Sequence, residues 1–273
     1  MPMLAFEGCR ERIWRAEVHS KELSKLWNEF VEDDRYSTIV EVEDDGTGGI
    51  WVEPEVSPFP AIFSFELGEM LYHLRAVLDS CIYEAAILET GQNPPSDERS
   101  LEFPIRNTSE EFKKAAWHIK PLTDKRRRIV ESVQPYNAPE VSPDIAVFSI
   151  QRMLGILNDW ASKDRHRRLH VIASWASQKN PFLRLPDGVH LSYMLVTGEG
   201  FLEHDSQIAA FGLEGWKPGM RIEANANLAI DIALNEPPPP CADSDTLGNR
   251  IRMMLASVKT VVNGFETSFE SDK

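Results

Sequence analysis

Residues 164–170 read Asp164-Arg165-His166-Arg167-Arg168-Leu169-His170, which puts two imidazoles, three guanidinium groups and a carboxylate within seven positions. If the chain stays helical there, His166 and His170 stand at i and i+4 on one face, a spacing suited to a metal ion or to paired acid–base work. Two histidines do not complete a metal site, and neighbouring arginines repel a dication, so no metal or other cofactor is expected. Histidine is a natural general acid or base near neutral pH, and arginine beside it would stabilise a phosphate-centred transition state. The plainer reading is electrostatic: basic side chains in the last turn of a helix are favoured by its dipole.

A second constellation lies at Arg75 and Asp79, also at i and i+4 and flanked by Tyr72 and His73. As a local ion pair it would contribute about 0.3 kcal/mol. In the sharper reading it faces the first cluster. His166 is then the acid–base group, Arg167 and Arg75 hold phosphate, and Asp79 or Asp164 orients His166. Arg165, Arg168 and His170 would help bind, as would Lys125 and Arg127 from a third basic stretch, Lys125-Arg126-Arg127-Arg128. With Lys113, Lys114 and Lys120 this stretch forms either a solvated charged face or an anion-guiding surface. Few aromatics accompany it, chiefly Trp117 and Tyr136, so a stacking platform for single strands is weakly supported. A P-loop, a dinucleotide fingerprint, a Gly-x-Ser-x-Gly elbow and a His-Glu-x-x-His helix are all absent from the sequence.

The elements that must position these groups follow from periodicity. Residues 9–30 and 65–89 carry apolar side chains at helical spacing, the second as a continuous stripe from Leu67 to Leu88 that marks a core helix. Between them, residues 36–42 and 50–53 read as two strands joined by a Gly-rich turn. Phe103-Pro104-Ile105 predicts an extended piece. Asn107-Thr108-Ser109-Glu110-Glu111 predicts a capped helix start, with a short helix to about Lys120 and a second over residues 123–133. Ser142-Pro143-Asp144 opens a helix expected over residues 145–163, which delivers the histidine cluster at its C-terminal end. Strands are expected at 171–175, 189–196 and 207–213. A single long alternating strand is expected over 220–234 after the Trp216-Lys217-Pro218-Gly219 turn, then a polyproline spacer at 237–240 and a final helix over 247–265.

The chain has 273 residues, 42% of them hydrophobic, enough for a substantial core. Its formal charge of -14 argues against a general polyanion binder. The segment 101–170 departs from that balance, with 13 Lys and Arg against 9 Asp and Glu, or +4, which leaves -18 on the remainder. RNA or another phosphate ligand is therefore disfavoured globally and allowed locally. Cys9, Cys81 and Cys241 lack metal-type spacing and read as reduced thiols. No apolar run approaches the roughly 18 residues of a membrane span, and the N-terminus lacks a signal-peptide core. A cytoplasmic protein with no membrane partner is expected.

With these residues in view, the chain resembles an uncharacterised bacterial and phage protein family. That family carries Asn-Leu-Arg-Ser-Ala-Leu-Asp-His on a core helix, then Phe-Pro-Ile, Gln-Pro-Tyr and Asp-Lys-His-Arg. Here the motifs read His73-Leu74-Arg75-Ala76-Val77-Leu78-Asp79-Ser80, Phe103-Pro104-Ile105, Gln134-Pro135-Tyr136 and Asp164-Arg165-His166-Arg167. The resemblance covers residues 67–170 and implies no assigned activity. A weaker resemblance is to HEPN helical domains, many of them RNases with an Arg followed four to six residues later by His. In the first motif that spacing falls on Arg75 and Ser80, so the imidazole is missing, whereas Arg165 and His170 recreate it.

The expected architecture is α+β: a mainly helical domain over residues 1–170, HEPN-like with a small hairpin, then an antiparallel sheet and a C-terminal helix over 171–273, packed as one unit. The leading functional expectation is a cytoplasmic HEPN-like protein that binds or acts on RNA or another phosphate ligand. The alternative is a non-catalytic interaction or scaffold protein in which Arg75, Asp79, Asp164 and Arg167 form a structural lock.

Overall fold

A long helix with thirteen buried positions organises the helical part of the chain. It is α2, Ile62–Thr90. Before it come α1 (Glu7–Glu32) and the strands β1 (Tyr36–Val42) and β2 (Thr47–Pro54). After it come α3 (Ser109–Ala115), α4 (Asp124–Ser132) and α5 (Ile150–His166). The strands β3 (Val171–Lys179), β4 (Phe182–Arg184), β5 (His190–Val196), β6 (Gly200–Phe201), β7 (Ser206–Glu214), β8 (Glu223–Asn225) and β9 (Leu228–Leu234) follow, and α6 (Leu247–Glu270) closes the chain. The structure is a computed structural model and describes residues 6–32, 36–54, 60–139, 149–166, 171–197, 200–201, 206–226, 228–234 and 247–272. Arg167, Arg168, His170, Cys241, the Ser142-Pro143-Asp144 cap and the polyproline spacer lie outside the described residues.

The fold is α+β, and its chain divides into two compact units. The first comprises Met1–Ser24, Ile62–His170 and Glu236–Lys273; the second comprises Lys25–Ala61 and Val171–Asn235. This differs from one cut after His170. The β1–β2 hairpin belongs with the later strands because β2 pairs with β7, and α6 belongs with the helices because it packs on α2, α4 and α5.

In the first unit Leu67, Leu71, Leu74, Leu78 and Ile82 of α2 are fully buried. Leu154, Leu157 and Trp160 of α5, and Met254, Val258 and Phe265 of α6, are buried with them. Each such apolar side chain contributes about 1.5–3 kcal/mol by leaving water. α2 ends at a glycine: Gly91 takes a positive φ of 69° and donates its N–H to the Ile87 carbonyl at 2.8 Å. The expected cap of α3 is Thr108, whose hydroxyl accepts the Glu111 N–H at 3.2 Å. Cys9 and Cys81 are buried free thiols, and burial together with the neighbouring Cys9 holds the Cys81 thiol well above its ordinary range.

The second unit is antiparallel throughout its described strands. Its main sheet runs β1-β2-β7-β5, beside a three-stranded sheet β6-β3-β9 and a two-stranded sheet β4-β8. Ile50, Val52, Val189, Ile208, Phe211 and Leu213 form its core. The long strand expected over 220–234 is two strands, because β8 pairs with β4 and β9 pairs with β3. An alternating pattern fixes which face is apolar and is silent about a change of partner along the way. Among the described residues no helix is long and apolar enough to cross a membrane.

Candidate functional site

The first unit holds a groove of about 430 Å³ between α2 and the C-terminal end of α5. On α2 the wall is Ser64, Phe65, Gly68, Glu69, Tyr72, Arg75, Ala76 and Asp79, a stripe running four turns along one face. On α5 it is Ala161, Asp164 and Arg165. The two constellations singled out by sequence thus meet here in part. Arg75, Asp79, Asp164 and Arg165 share the groove, while His166 is exposed and does not line it.

The helices come this close at one point because Gly68 has no side chain. A Cβ built there would stand 2.6 Å from Asp164 Oδ2. A glycine inside a helix costs about 1 kcal/mol relative to alanine, and the space it leaves here is filled by the Asp164 carboxylate.

Arg75 and Asp79 are held chiefly by the segment after α2 rather than by α5. Arg75 Nη2 donates to the Phe103 carbonyl at 2.7 Å, and Asp79 Oδ1 accepts the Phe103 N–H at 2.9 Å. Two side chains one helical turn apart therefore satisfy both polar groups of one buried residue, as a partner strand would. Arg75 Nη1 also stands 3.0 Å from Asp79 Oδ1, and Nη2 stands 3.2 Å from Glu102 Oε1. The Arg75 side chain is 11% exposed; those of Asp79 and Glu102 are 37% and 39% exposed. Burial pushes the Asp79 carboxyl above its ordinary value, against the pull of the Arg75 guanidinium and the Phe103 N–H.

The same extended segment is held from its other side by Gln134, which is fully buried. Its Oε1 accepts the Arg106 N–H at 2.9 Å, and its Nε2 donates to the carbonyls of Pro104 at 2.7 Å and Val130 at 2.9 Å. Phe103-Pro104-Ile105 and Gln134-Pro135-Tyr136 are thus two sides of one device. A backbone buried outside any helix or sheet needs side-chain partners, and Arg75, Asp79 and Gln134 supply them.

The two remaining candidate binding residues stand elsewhere. Lys125 Nζ donates to Ser268 O at 3.1 Å and to Ser271 at 2.8 Å, and pairs with Asp272 at 2.7 Å. Arg127 donates to the Lys120 carbonyl at 2.5 Å and stands 3.5 Å from Asp124. Lys125 therefore ties α4 to the end of α6. Arg126 between them is buried, pairing with Glu89 at 2.6 Å and Asp272 at 2.5 Å while its guanidinium carbon lies 3.4 Å from the Phe269 ring centre.

One neighbouring cluster escaped sequence reading. His19 of α1 stacks on His73 of α2, with ring centres 5.5 Å apart, and its Nδ1 lies 2.8 Å from Glu66 Oε2. Burial, then the nearby His19 and Arg12, holds the His73 imidazole below its usual value. The i, i+4 spacing of Glu69 and His73 was a usable signal; the arrival of His19 from another helix was not.

No family model, no curated protein and no solved structure matches the chain.

Proposed function

We propose that the chain is a non-catalytic binding protein whose helical unit takes a small organic ligand in the α2–α5 groove, with the motif residues as the scaffold of that groove. The observation that carries this reading is the pair of hydrogen bonds that tie Arg75 to the Phe103 carbonyl and Asp79 to the Phe103 N–H, which engages the arginine a phosphate would need. The groove is lined by three acids, Glu69, Asp79 and Asp164, and two arginines, Arg75 and Arg165, a balance of -1 that favours a cationic or hydrogen-bond-donating head group over a phosphate. Phe65 and Tyr72, both exposed on the groove wall, offer an apolar and aromatic rest for the body of such a ligand.

The test is a thermal-shift screen of aromatic amines against ribonucleotides and pyrophosphate, run on the parent and on Asp164→Asn and Ala76→Leu. A ligand at a hundredfold excess over Kd stabilises its unit by about 2.7 kcal/mol, a rise of roughly 5 °C or more. The expected result is a rise with amines that both variants lose. Stabilisation by pyrophosphate or nucleotides and by no amine removes the proposal.

A second reading keeps the HEPN-like ancestry and an RNA or phosphate ligand, with His166 as acid–base group, Arg167 and Arg75 on phosphate, and Asp79 or Asp164 orienting His166. The exposed Arg165 in the groove wall favours it. Incubation with mixed RNA compares the parent with His166→Ala; equal cleavage by both, or cleavage by neither, eliminates the nuclease.

A further inference from the structure

We infer that His19, Glu69 and His73 bind one divalent transition-metal ion, zinc by preference, between α1 and α2. One ring nitrogen from each histidine and one carboxylate oxygen of Glu69 lie within 4.8 Å of one another. A tetrahedral ion with bonds of about 2.1 Å holds its ligand atoms about 3.4 Å apart, so modest rotations of three partly exposed side chains close the set. Glu69 and His73 share a face of α2 as an i, i+4 pair, and His19 enters from α1 with its ring tilted 21° from that of His73.

Two further features point to an ion rather than to a chance cluster. The contact of His19 Nδ1 with Glu66 at 2.8 Å fixes a proton on that nitrogen and frees Nε2 as a ligand, the carboxylate–histidine arrangement that orients metal-bound imidazoles. His73 Nδ1 is buried with no hydrogen-bond partner among the described residues, a lone polar atom that a bound ion or its water would satisfy. Two imidazoles and one carboxylate suit zinc better than calcium or magnesium, which take oxygen ligands. Arg12 and Arg15 add positive charge nearby, while Glu66 and Glu69 offset it and Arg15 pairs with Glu11 at 3.3 Å.

Three protein ligands leave a fourth position for water or for a donor atom of another molecule. Glu69 also lines the groove, so the ion would stand at its edge. The metal site shares only this residue with the ligand proposal and does not depend on it.

The test uses the full chain stripped with EDTA and titrated with Co²⁺ alone, then with Zn²⁺ in competition. The expected result is one equivalent bound, with tetrahedral cobalt absorption and no thiolate-to-cobalt charge-transfer band. His19→Ala and His73→Ala should each weaken binding by about tenfold or more, and Glu66→Gln by about 10- to 100-fold, with unchanged circular dichroism. Binding without the tetrahedral spectrum, a thiolate band, or undiminished affinity in the folded His19→Ala/His73→Ala chain overturns the assignment. If that double variant does not fold, Glu66→Gln and Glu69→Gln decide: unchanged affinity in both refutes it. Because no organic ligand is present, failure here leaves the amine screen untouched, and the reverse holds.

Discussion

Replacing Arg75 with alanine removes the charged donor from the Phe103 carbonyl and leaves Asp79 with one backbone N–H in place of a cation. A hydrogen bond from a charged group contributes about 1.5–3 kcal/mol. The pairs with Asp79 and Glu102 add no more than about 1 kcal/mol together, since both carboxylates are more than a third exposed and screened by water. The expected loss is about 3 kcal/mol, with Arg75→Lys recovering part of it because one ammonium can reach one acceptor but not fork across two. Two compact units make a single global unfolding energy ambiguous, so the local reporter is hydrogen exchange at the Phe103 amide, which donates to Asp79. Arg75→Ala and Asp79→Asn should both accelerate that exchange, and the double variant should cost less than the sum. A loss below about 0.5 kcal/mol with Phe103 protection intact would refute the clamp.

The pH dependence follows from the same contact. Burial already raises the Asp79 carboxyl in the folded chain, so the folded state binds the extra proton and this group makes stability fall as pH rises through its raised value. Without Arg75 the carboxyl climbs further. Arg75→Ala should therefore regain part of its lost stability on acidification, in a window above the parent's, and adding Asp79→Asn should abolish that recovery. Recovery that persists in the Arg75→Ala/Asp79→Asn double variant would assign it to another group.

The α4–α6 contact gives the opposite sign. Burial tends to raise the Glu89 carboxyl, but hydrogen bonds from Thr123 and Arg126 outweigh it and leave it lowered, while bonds from Lys125 and Arg126 lower Asp272. Stability from both is present above the ordinary carboxylate range and is lost as pH falls through the depressed values; Arg126→Ala should weaken that acid sensitivity, with Thr123 and Lys125 keeping the remainder, and cost about 3 kcal/mol in a urea melt, because Glu89 stays largely buried without its cation. Gly68→Ala should depend on its background: the helix gains about 1 kcal/mol from alanine, displacing the Asp164 carboxylate offsets part or all of that gain in the parent, and the full gain remains in Asp164→Ala. A double-mutant cycle in which Gly68→Ala destabilises both backgrounds equally would deny that Asp164 occupies the glycine's space.

What sequence could and could not foresee divides along the chemistry of partners. Helical periodicity located α1, α2 and α6 because each buries a stripe of side chains whose types are written in the chain. The residues of the clamp were also visible: Arg75, Asp79, Phe103 and Gln134 all stood out by type or motif. Their partners were not, because a sequence reader matches charge with charge, and so set Arg75 and Asp79 against Asp164 and Arg167 across two helices. The observed partners are the N–H and C=O of Phe103 and the carbonyls of Pro104 and Val130, groups that every residue carries and no letter distinguishes. The hairpin's place in the second unit and the split of residues 220–234 between two sheets were hidden for a related reason, since strand pairing is a bond between backbones. Proline and a buried amide nevertheless carried a usable hint. Phe103-Pro104-Ile105 is apolar and can join no sheet through Pro104, so its burial required side chains capable of bonding to backbone. Gln134 and the Arg75–Asp79 pair were the polar residues set within apolar surroundings that could supply them.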